Sequence, residues 1–255
     1  MGARHSHPLY VHGHSPVHRL PPEVKVAGAV AFVFGVALTP REAVWVFAVD
    51  AACLAAVIAV AQLRFGFVAR RLLVIVPFVA FALALPFVAT GQQVDVLGVS
   101  LSRDGLWATW NIVAKASLGA TTSITLAATT EVPRMLTGMT RLRVPTTLTA
   151  IANFMVRYLE VVAGELARMR TAMAARGYAP RWLWQARPVA TSAGALFVRS
   201  YERGERVHAA MLARGYTGSM PELDERRATP GQWSLAAVPV AVAWTCALTA
   251  LAVAP

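Results

Sequence analysis

Cysteine and charged residues are scarce in this chain of 255 residues. The two cysteines, Cys53 and Cys246, lie inside apolar blocks with no partner nearby in the sequence. This excludes a disulfide scaffold and a zinc site of the usual cysteine spacing. Charged residues make up 15% of the chain, whereas a soluble domain carries about 25%. Because 56% of the residues are hydrophobic and the mean hydropathy is +0.52, we expect a membrane protein.

Catalytic signatures are missing as well. The sequence has no glycine-rich loop ending in Lys-Ser or Lys-Thr, no nucleophile elbow and no paired-histidine metalloprotease motif. We therefore expect that the chain is not an enzyme and that any ATP is handled by another chain. The net charge of +11 would indicate nucleic acid binding in a soluble protein, but in a membrane protein it is typical of cytoplasmic loops.

Five apolar blocks are long enough to cross the hydrocarbon core, which takes roughly 20 helical residues. They cover residues 24–38, 43–63, 72–90, 105–130 and 235–253. The first block is short for a span, and an extension through Pro40 is the alternative. With the N-terminus inside, all but three of the 24 Lys and Arg residues fall on one side of the membrane. This asymmetry predicts a multi-pass protein of the cell membrane with a cytoplasmic N-terminus and an external C-terminus.

The predicted fold class is all-α, a polytopic membrane helical bundle with two long amphipathic cytoplasmic helices. Residues 1–23 form a histidine-bearing cytoplasmic arm and residues 24–130 form membrane helices 1–4. Residues 131–234 form the cytoplasmic helix region, and residues 235–255 form the C-terminal membrane helix.

The cytoplasmic region carries the two amphipathic patterns. Apolar residues recur at spacings of three and four from Leu148 to Met173, which predicts one helical stripe. A second such helix is predicted for about residues 190–214, with Glu202 and Arg206 four positions apart in the favourable order. The first half of the first helix is apolar enough to lie against or partly within the membrane.

Each helix ends in nearly the same seven letters. AMAARGY covers residues 172–178 and AMLARGY covers residues 210–216, so six letters repeat after 38 residues. Gly177 and Gly215 suit a left-handed helix end, and Arg176 and Arg214 suit the last turn, so capping alone is one interpretation. Because capping does not explain a shared Met and Tyr, we favour two copies of one docking tip. Two tips indicate a partner with two similar subunits.

These residues resemble a known family. The doubled Ala-Arg-Gly at the ends of two cytoplasmic helices is similar to the transmembrane T component of energy-coupling factor transporters. SYERGERVHAAMLARGYTGSMP (200–221), SPVHRLPPEVKV (15–26) and TPRE (39–42) resemble the CbiQ type, the cobalt transport permease. The resemblance covers nearly the whole chain, and the paired motif is its most specific part.

The resemblance implies a scaffold that joins a substrate-capture membrane protein to two cytoplasmic ABC-type ATPase subunits. The docking residues would be those of the first tip, Ala175, Arg176 and Gly177, and of the second tip, Ala213, Arg214 and Gly215. The chain would bind no cofactor itself, because ATP and Mg belong to the partner subunits. The substrate implied is a transition-metal ion, above all cobalt. Nickel or a vitamin stays open.

Histidines and two ionisable membrane residues are further candidates. Imidazole binds Co²⁺ and Ni²⁺ well, but the arm has no rigid frame, so we expect a loosely ordered arm without a metal site. The weak metal candidates are His5, His7, His12, His14 and His18. Asp50 and Lys115 are costly in lipid and are expected to pair with each other or to contact the capture protein.

Two other functions remain as alternatives. One is a membrane-embedded enzyme acting on lipid phosphates, with the Arg-Gly tips binding phosphate. The cytoplasmic acids that such an enzyme would cluster around a metal are scattered in this sequence. The other is a basic membrane anchor for another complex, without transport.

Overall fold

The computed structural model describes residues 10–88, 93–96, 99–178, 187–218 and 227–253. The chain divides into two compact units. The first consists of Met1–Leu142 with Arg226–Pro255, and the second is Arg143–Glu225.

The first unit is a helical bundle built around α2. Its principal helices are α1 (Pro16–Arg19), α2 (Pro22–Leu38), α3 (Val44–Val60), α7 (Arg103–Thr129), α8 (Val132–Arg141) and α11 (Pro230–Val253). Helix α2 packs against α7, α8 and α11. Gly35 permits the close approach of α11, because a Cβ there would lie 3.2 Å from the Cβ of Ala243. The core consists of small, branched and aromatic apolar side chains, most of them from these helices.

The third predicted membrane block is not one regular helix. It consists of α4 (Phe65–Leu72), a 3₁₀ turn (Leu73–Ile75), α5 (Val76–Ala82) and α6 (Leu85–Val88). Pro77 and Pro86 lie in α5 and α6. Because proline has no N–H and its ring clashes with the preceding turn, it interrupts a continuous helix. This break was not predicted from the sequence.

A short hairpin was also not predicted. Strands β1 (Gln93–Val96) and β2 (Val99–Ser102) pair antiparallel, with Gln93 opposite Ser102. Helix α7 starts directly after this hairpin, and the Ser102 hydroxyl accepts a hydrogen bond from the Gly105 N–H at 3.4 Å. The all-α helical fold class is confirmed, with this hairpin as an addition.

Two helical stretches of the described chain are long and apolar enough to cross a membrane. They are Phe65–Val88 and Pro230–Ala252, and α3 is apolar but has 17 residues. The first stretch exposes large apolar side chains, with Phe81 74% and Val88 78% exposed, as expected of a surface in contact with lipid. The other predicted spans coincide with α2, α3 and α7, and their place in the membrane stays a prediction.

The second unit contains the two predicted amphipathic helices. Helix α9 covers Thr146–Ala175 and α10 covers Arg187–Ala213. With 30 and 27 residues, they are about 45 and 40 Å long. The unit lies inside the predicted cytoplasmic region 131–234, while α8 belongs to the first unit. The predicted limits between membrane and cytoplasm remain predictions.

Candidate functional site: two helix tips

The first tip ends α9 in a complete Schellman motif. Gly177 has a φ of +79° and its N–H donates to the Ala174 carbonyl at 3.0 Å. The Tyr178 N–H donates to the Met173 carbonyl at 3.1 Å. These two bonds satisfy carbonyls that a helix end otherwise leaves without a partner. The tip is therefore held by backbone bonds.

The second tip repeats this geometry at the end of α10. Gly215 has a φ of +82° and its N–H donates to the Leu212 carbonyl at 3.0 Å. The Tyr216 N–H donates to the Met211 carbonyl, also at 3.0 Å. The two copies of the sequence motif thus form two copies of one structure.

The structure corrects one part of the sequence argument. Met173 and Tyr178 occupy the two positions that commonly make the hydrophobic contact of a Schellman motif, so capping does account for the shared Met and Tyr. It does not account for the arginine. Helix α3 makes the same pair of bonds around Gln62, whose φ is +57°, without an arginine beside it.

Both tips are open surfaces. Arg176, Gly177, Arg214 and Gly215 are exposed, and a Cβ on either glycine would meet nothing within 4 Å. Among the described residues, the structure gives neither arginine side chain a hydrogen bond or an ion pair. One guanidinium group is therefore available to another molecule at each helix end.

The repeat extends along the buried face of the α10 segment. Between residues 187 and 218, each half-buried residue lies 38 positions after a half-buried residue of the α9 segment. The pairs are Phe154 and Ser192, Tyr158 and Leu196, Val162 and Ser200, Glu165 and Arg203, Met169 and Val207, Met173 and Met211, and Tyr178 and Tyr216. Both helices thus bury equivalent faces, which is the signature of an approximate twofold relation.

One ion-pair cluster lies at the centre of this relation. Glu165, whose side chain is 12% exposed, contacts Arg199 at 3.1 Å and Arg203 at 3.5 Å. Glu165 and Arg203 are equivalent positions of the repeat, and a residue that contacts its own equivalent lies on the axis that relates the copies. Opposite charges allow a contact there that two identical charges would oppose.

The tips lie at opposite ends of the helix pair. Ser192 contacts the Met173 sulfur at 3.5 Å, so α10 advances from 192 to 203 as α9 is followed back from 173 to 165. The helices are therefore antiparallel. Glu165 precedes Arg176 by eleven residues and Arg203 precedes Arg214 by eleven, so each tip lies about 16 Å along its helix from the cluster.

Replacing the central acid should loosen the spacing of the tips. In Glu165→Gln, Arg199 and Arg203 lose their counter-charge. We expect the free energy of unfolding to fall by only about 1 kcal/mol, because both arginines are partly exposed to water. The distance distribution between spin labels at exposed Ala172 and Ala210 should broaden in a pulsed electron resonance measurement. The charge swap Glu165→Arg with Arg203→Glu should narrow the distribution only in part, because it restores the pair at 165 and 203 but sets Arg199 against a like charge.

The matched control for this experiment is Glu202→Gln. Glu202 pairs within α10 with Arg206 at 3.9 Å, as the sequence predicted, and both side chains are exposed. The label distances should not change in this variant. Equal distributions for wild type and Glu165→Gln would show that the cluster does not set the spacing.

The histidine arm is more ordered than predicted. The Val11 N–H donates to the Ala128 carbonyl at 3.0 Å, and buried His18 contacts the Ser15 hydroxyl at 2.7 Å and the Val11 carbonyl at 3.1 Å. The expectation of a loose arm is therefore wrong for residues 10–23. Buried His18 loses contact with water, and its hydrogen bonds to Ser15 and Val11 replace that contact and hold the segment in place.

A metal site does not assemble from the described histidines. His12 and His14 are exposed, and both nitrogens of His18 are engaged. Within residues 10–88, 93–96, 99–178, 187–218 and 227–253, no group of three His, Cys, Asp or Glu side chains is placed to hold a metal. His5 and His7 lie outside the described residues.

His18 should make the packing of the arm pH-dependent. Burial lowers the pKa of His18 below its usual 6.5, aided by the charges of Lys25 and His14 and opposed by the hydrogen bond to Val11. Its contribution to stability is therefore complete above pH 6.5 and is lost as the pH falls through the lowered pKa. The thermal unfolding temperature of the purified chain should fall on acidification towards pH 5.

Two glutamine variants separate this effect from other titrations. His18→Gln retains a donor for the Val11 carbonyl but does not titrate, so its unfolding temperature should fall less steeply with pH. His14→Gln changes an exposed histidine, so its unfolding temperature should fall with decreasing pH nearly as steeply as that of wild type. The same pH slope for wild type and His18→Gln would contradict the role of His18.

The predicted pair of Asp50 and Lys115 does not form. The Lys115 ammonium donates to the Ala37 carbonyl at 2.8 Å, at the end of α2. Carbonyls in the last turn of a helix attract cations, which explains this choice. Asp50 is fully buried in α3, and neither carboxylate oxygen has a hydrogen-bond partner within the described part of the chain.

The part of the chain that matches a known family includes both tips. Residues 13–223 match the profile of the CbiQ family, which is described as a cobalt transport protein. A cobalt transport protein CbiQ of Rhodobacter capsulatus is 33% identical over 180 residues, covering 68% of this chain and 73% of that protein. An uncharacterized protein of Methanocaldococcus jannaschii is 24% identical over 167 residues, covering 60% of this chain and 56% of that protein.

Proposed function

Because this chain belongs to the CbiQ family of cobalt transport proteins, we propose that it is the membrane scaffold of an energy-coupling factor importer. Two cytoplasmic ATPase subunits hydrolyse ATP, and a separate membrane protein captures the substrate. The scaffold couples the two and carries no catalytic residue of its own. Its N-terminus lies in the cytoplasm together with both tips.

The observation that carries this proposal is the pair of equivalent tips. Two copies of one exposed structure, at opposite ends of an approximately twofold helix pair, fit a partner made of two similar subunits. The planar guanidinium of Arg176 or Arg214 offers several donors in a fixed fork, which suits carboxylates and backbone carbonyls of a docking pocket.

The backbone geometry supports a mechanical role. Each Schellman motif fixes the tip rigidly to its helix, so a displacement of the tip displaces the helix. When ATP closes the two ATPase subunits, the tips move with them. The long helices α9 and α10 act as rigid rods and pass this movement on through the covalent chain to the bundle, in the manner of other interface-driven transitions.

Cobalt is the proposed substrate because the matched family transports it. Metal selection belongs to the capture protein in this proposal, and the scaffold supplies movement.

The apolar side chains Leu148, Ile151 and Met155 at the start of α9 are more than half exposed. They offer a surface to lipid or to the membrane part of a partner.

Uptake of radioactive cobalt tests the proposal. Cells without their own cobalt importers express this chain with the capture protein and the ATPase of the same organism. We expect uptake that requires this chain and is lost when the phosphate-loop lysine of the ATPase is replaced. Full uptake without this chain would overturn the scaffold. Uptake is also measured with an excess of nickel, of a vitamin or of unlabelled cobalt. If nickel or a vitamin blocked uptake to the same extent as unlabelled cobalt, the assignment of cobalt would fail and the scaffold function would stand.

A further inference from the structure

The chain connects the two units at two places. It leaves the first unit after Leu142, at the end of α8, and returns at Arg226, before α11. Any movement of α9 or α10 that the covalent chain transmits to the bundle must therefore pass through these two connections. The residues that fix their ends decide how the bundle responds.

Glu23, in the first turn of α2, holds both connections. Nη1 of Arg141 lies 3.3 Å from each of its carboxylate oxygens, and the Ala228 N–H donates to Oε1 at 3.1 Å. Arg141 is the last residue of α8, and Ala228 lies two residues before Pro230, the first residue of α11. The side chains of Glu23 and Arg141 are 6% and 11% exposed. One buried carboxylate thus joins two parts of the chain that lie 87 positions apart.

Helix α8 lies directly against the start of α2 at this point. A Cβ on Gly138 would lie 2.8 Å from the Glu23 nitrogen and 2.8 Å from the Pro22 carbonyl carbon. Only glycine allows α8 to come this close to the start of α2. The ion pair and the glycine contact act one turn apart on α8, so α8 moves with α2.

From this geometry we infer that Glu23 is a positioning residue that makes both connections move together with α2. The inference rests on the proposed function, because it names the point where movement of α9 and α10 enters the bundle. Since α2 packs against α7 as well as against α8 and α11, a displacement at Glu23 also reaches α7.

The energetics favour a positioning role over simple stabilisation. Burying both charges costs hydration, and a buried ion pair is often no more stabilising than apolar residues of the same volume. Its geometry is specific, however, because the carboxylate must meet the arginine and the backbone N–H at once. A shared buried acceptor thus links two chain segments in one arrangement.

Hydrogen exchange of the Ala228 amide tests the geometry without transport. In the purified chain, Glu23→Ala removes the acceptor of this N–H, and exchange should accelerate about tenfold or more. Glu23→Gln keeps an acceptor oxygen and should accelerate exchange less. Unchanged exchange in Glu23→Ala would overturn the contact on which the inference depends.

The positioning role is tested in the complete complex reconstituted in vesicles. The quantity measured is the ratio of cobalt taken up to ATP hydrolysed. A merely structural role would lower uptake and ATP hydrolysis together and leave their ratio unchanged. We expect Glu23→Gln to lower the ratio about threefold or more, with ATPase subunits still bound. The control Asp104→Asn removes the acid of an exposed pair with Arg41, 3.6 Å away, and should keep the wild-type ratio.

The outcomes separate this inference from the proposed function. A wild-type ratio in Glu23→Gln, with uptake dependent on the ATPase, would overturn the positioning role and leave the scaffold intact. If the wild-type chain bound no ATPase subunits, the proposed function would fail and the inference with it.

Discussion

The double variant Arg176→Glu with Arg214→Glu is expected to lose ATPase capture and ATP-driven cobalt uptake completely, while each single variant keeps a weakened complex. In the proposed complex, each reversal removes a guanidinium from a docking pocket of the ATPase and places a carboxylate there. Losing one charged partner of a buried interfacial contact costs about 2 to 5 kcal/mol, which is about 30-fold or more in affinity. With both tips changed, the gain from binding at two linked sites is lost as well.

These variants should leave the fold unchanged. The tips are closed by backbone hydrogen bonds, and the two arginine side chains are exposed. Thermal unfolding of each purified variant should therefore match that of wild type within the effect of an ordinary surface change, about 0.5 kcal/mol. Capture of ATPase subunits on an affinity resin and cobalt uptake are then measured on equal amounts of folded protein.

Arg206→Glu is the matched control for the tip variants. It makes the same charge change on α10, eight residues before Arg214. Its ion pair with Glu202 is exposed and contributes less than about 1 kcal/mol. Capture and uptake should stay near the wild-type level. Equal losses for Arg206→Glu and the tip variants would mean that general positive charge, and not the tips, attracts the partner.

The second large effect is expected for Gly138→Leu. A Cβ at this position already lies 2.8 Å from backbone atoms of Pro22 and Glu23, and backbone cannot rotate away as a side chain can. Leucine should force α8 from α2 and break the contact of Arg141 with Glu23. Overpacking of this kind costs about 3 kcal/mol. The protein should accumulate poorly in membranes, and its unfolding temperature in detergent should drop.

Gly119→Ala is the control with the opposite sign. Gly119 lies inside α7, and a Cβ there would meet nothing within 4 Å. Because alanine is the better helix former, this variant should gain about 0.5 to 1 kcal/mol. If Gly138→Leu and Gly119→Ala had the same unfolding temperature, the close approach of α8 and α2 would be contradicted.

Local signals in the sequence predicted the helices and the tips well. The stripe from Leu148 to Met173 predicted α9, and the glycines at 177 and 215 adopt the left-handed conformation expected of them. Such features depend on residues a few positions apart, so periodicity and the conformational freedom of glycine are sufficient to find them. The repeated Ala-Arg-Gly was visible for the same reason.

Contacts between distant residues were not predictable in this way. Glu23 and Arg141 are 118 positions apart, and the sequence around either residue does not indicate its partner. The predicted pair of Asp50 and Lys115 failed because charge alone does not tell which helix faces which. Lys115 instead reaches the end of α2 through its long side chain.

The full extent of the repeat needed the structure. Tyr158 and Leu196, or Val162 and Ser200, are equivalent in burial but share little chemistry. Identical letters survive at the tips, whereas the buried face between them requires only side chains that fit the neighbouring helix. A comparison of letters therefore finds the tips and misses the face.

Photo-crosslinking at the tips tests the central claim most directly. A photoreactive amino acid replaces exposed Ala175 or Ala213 in the assembled importer, and the cross-linked products are identified by mass spectrometry. If the tips dock on the ATPase pair, each position should yield a product with an ATPase subunit, and the same label at exposed Ala195 should yield none. Products confined to this chain at both tip positions would contradict the claim.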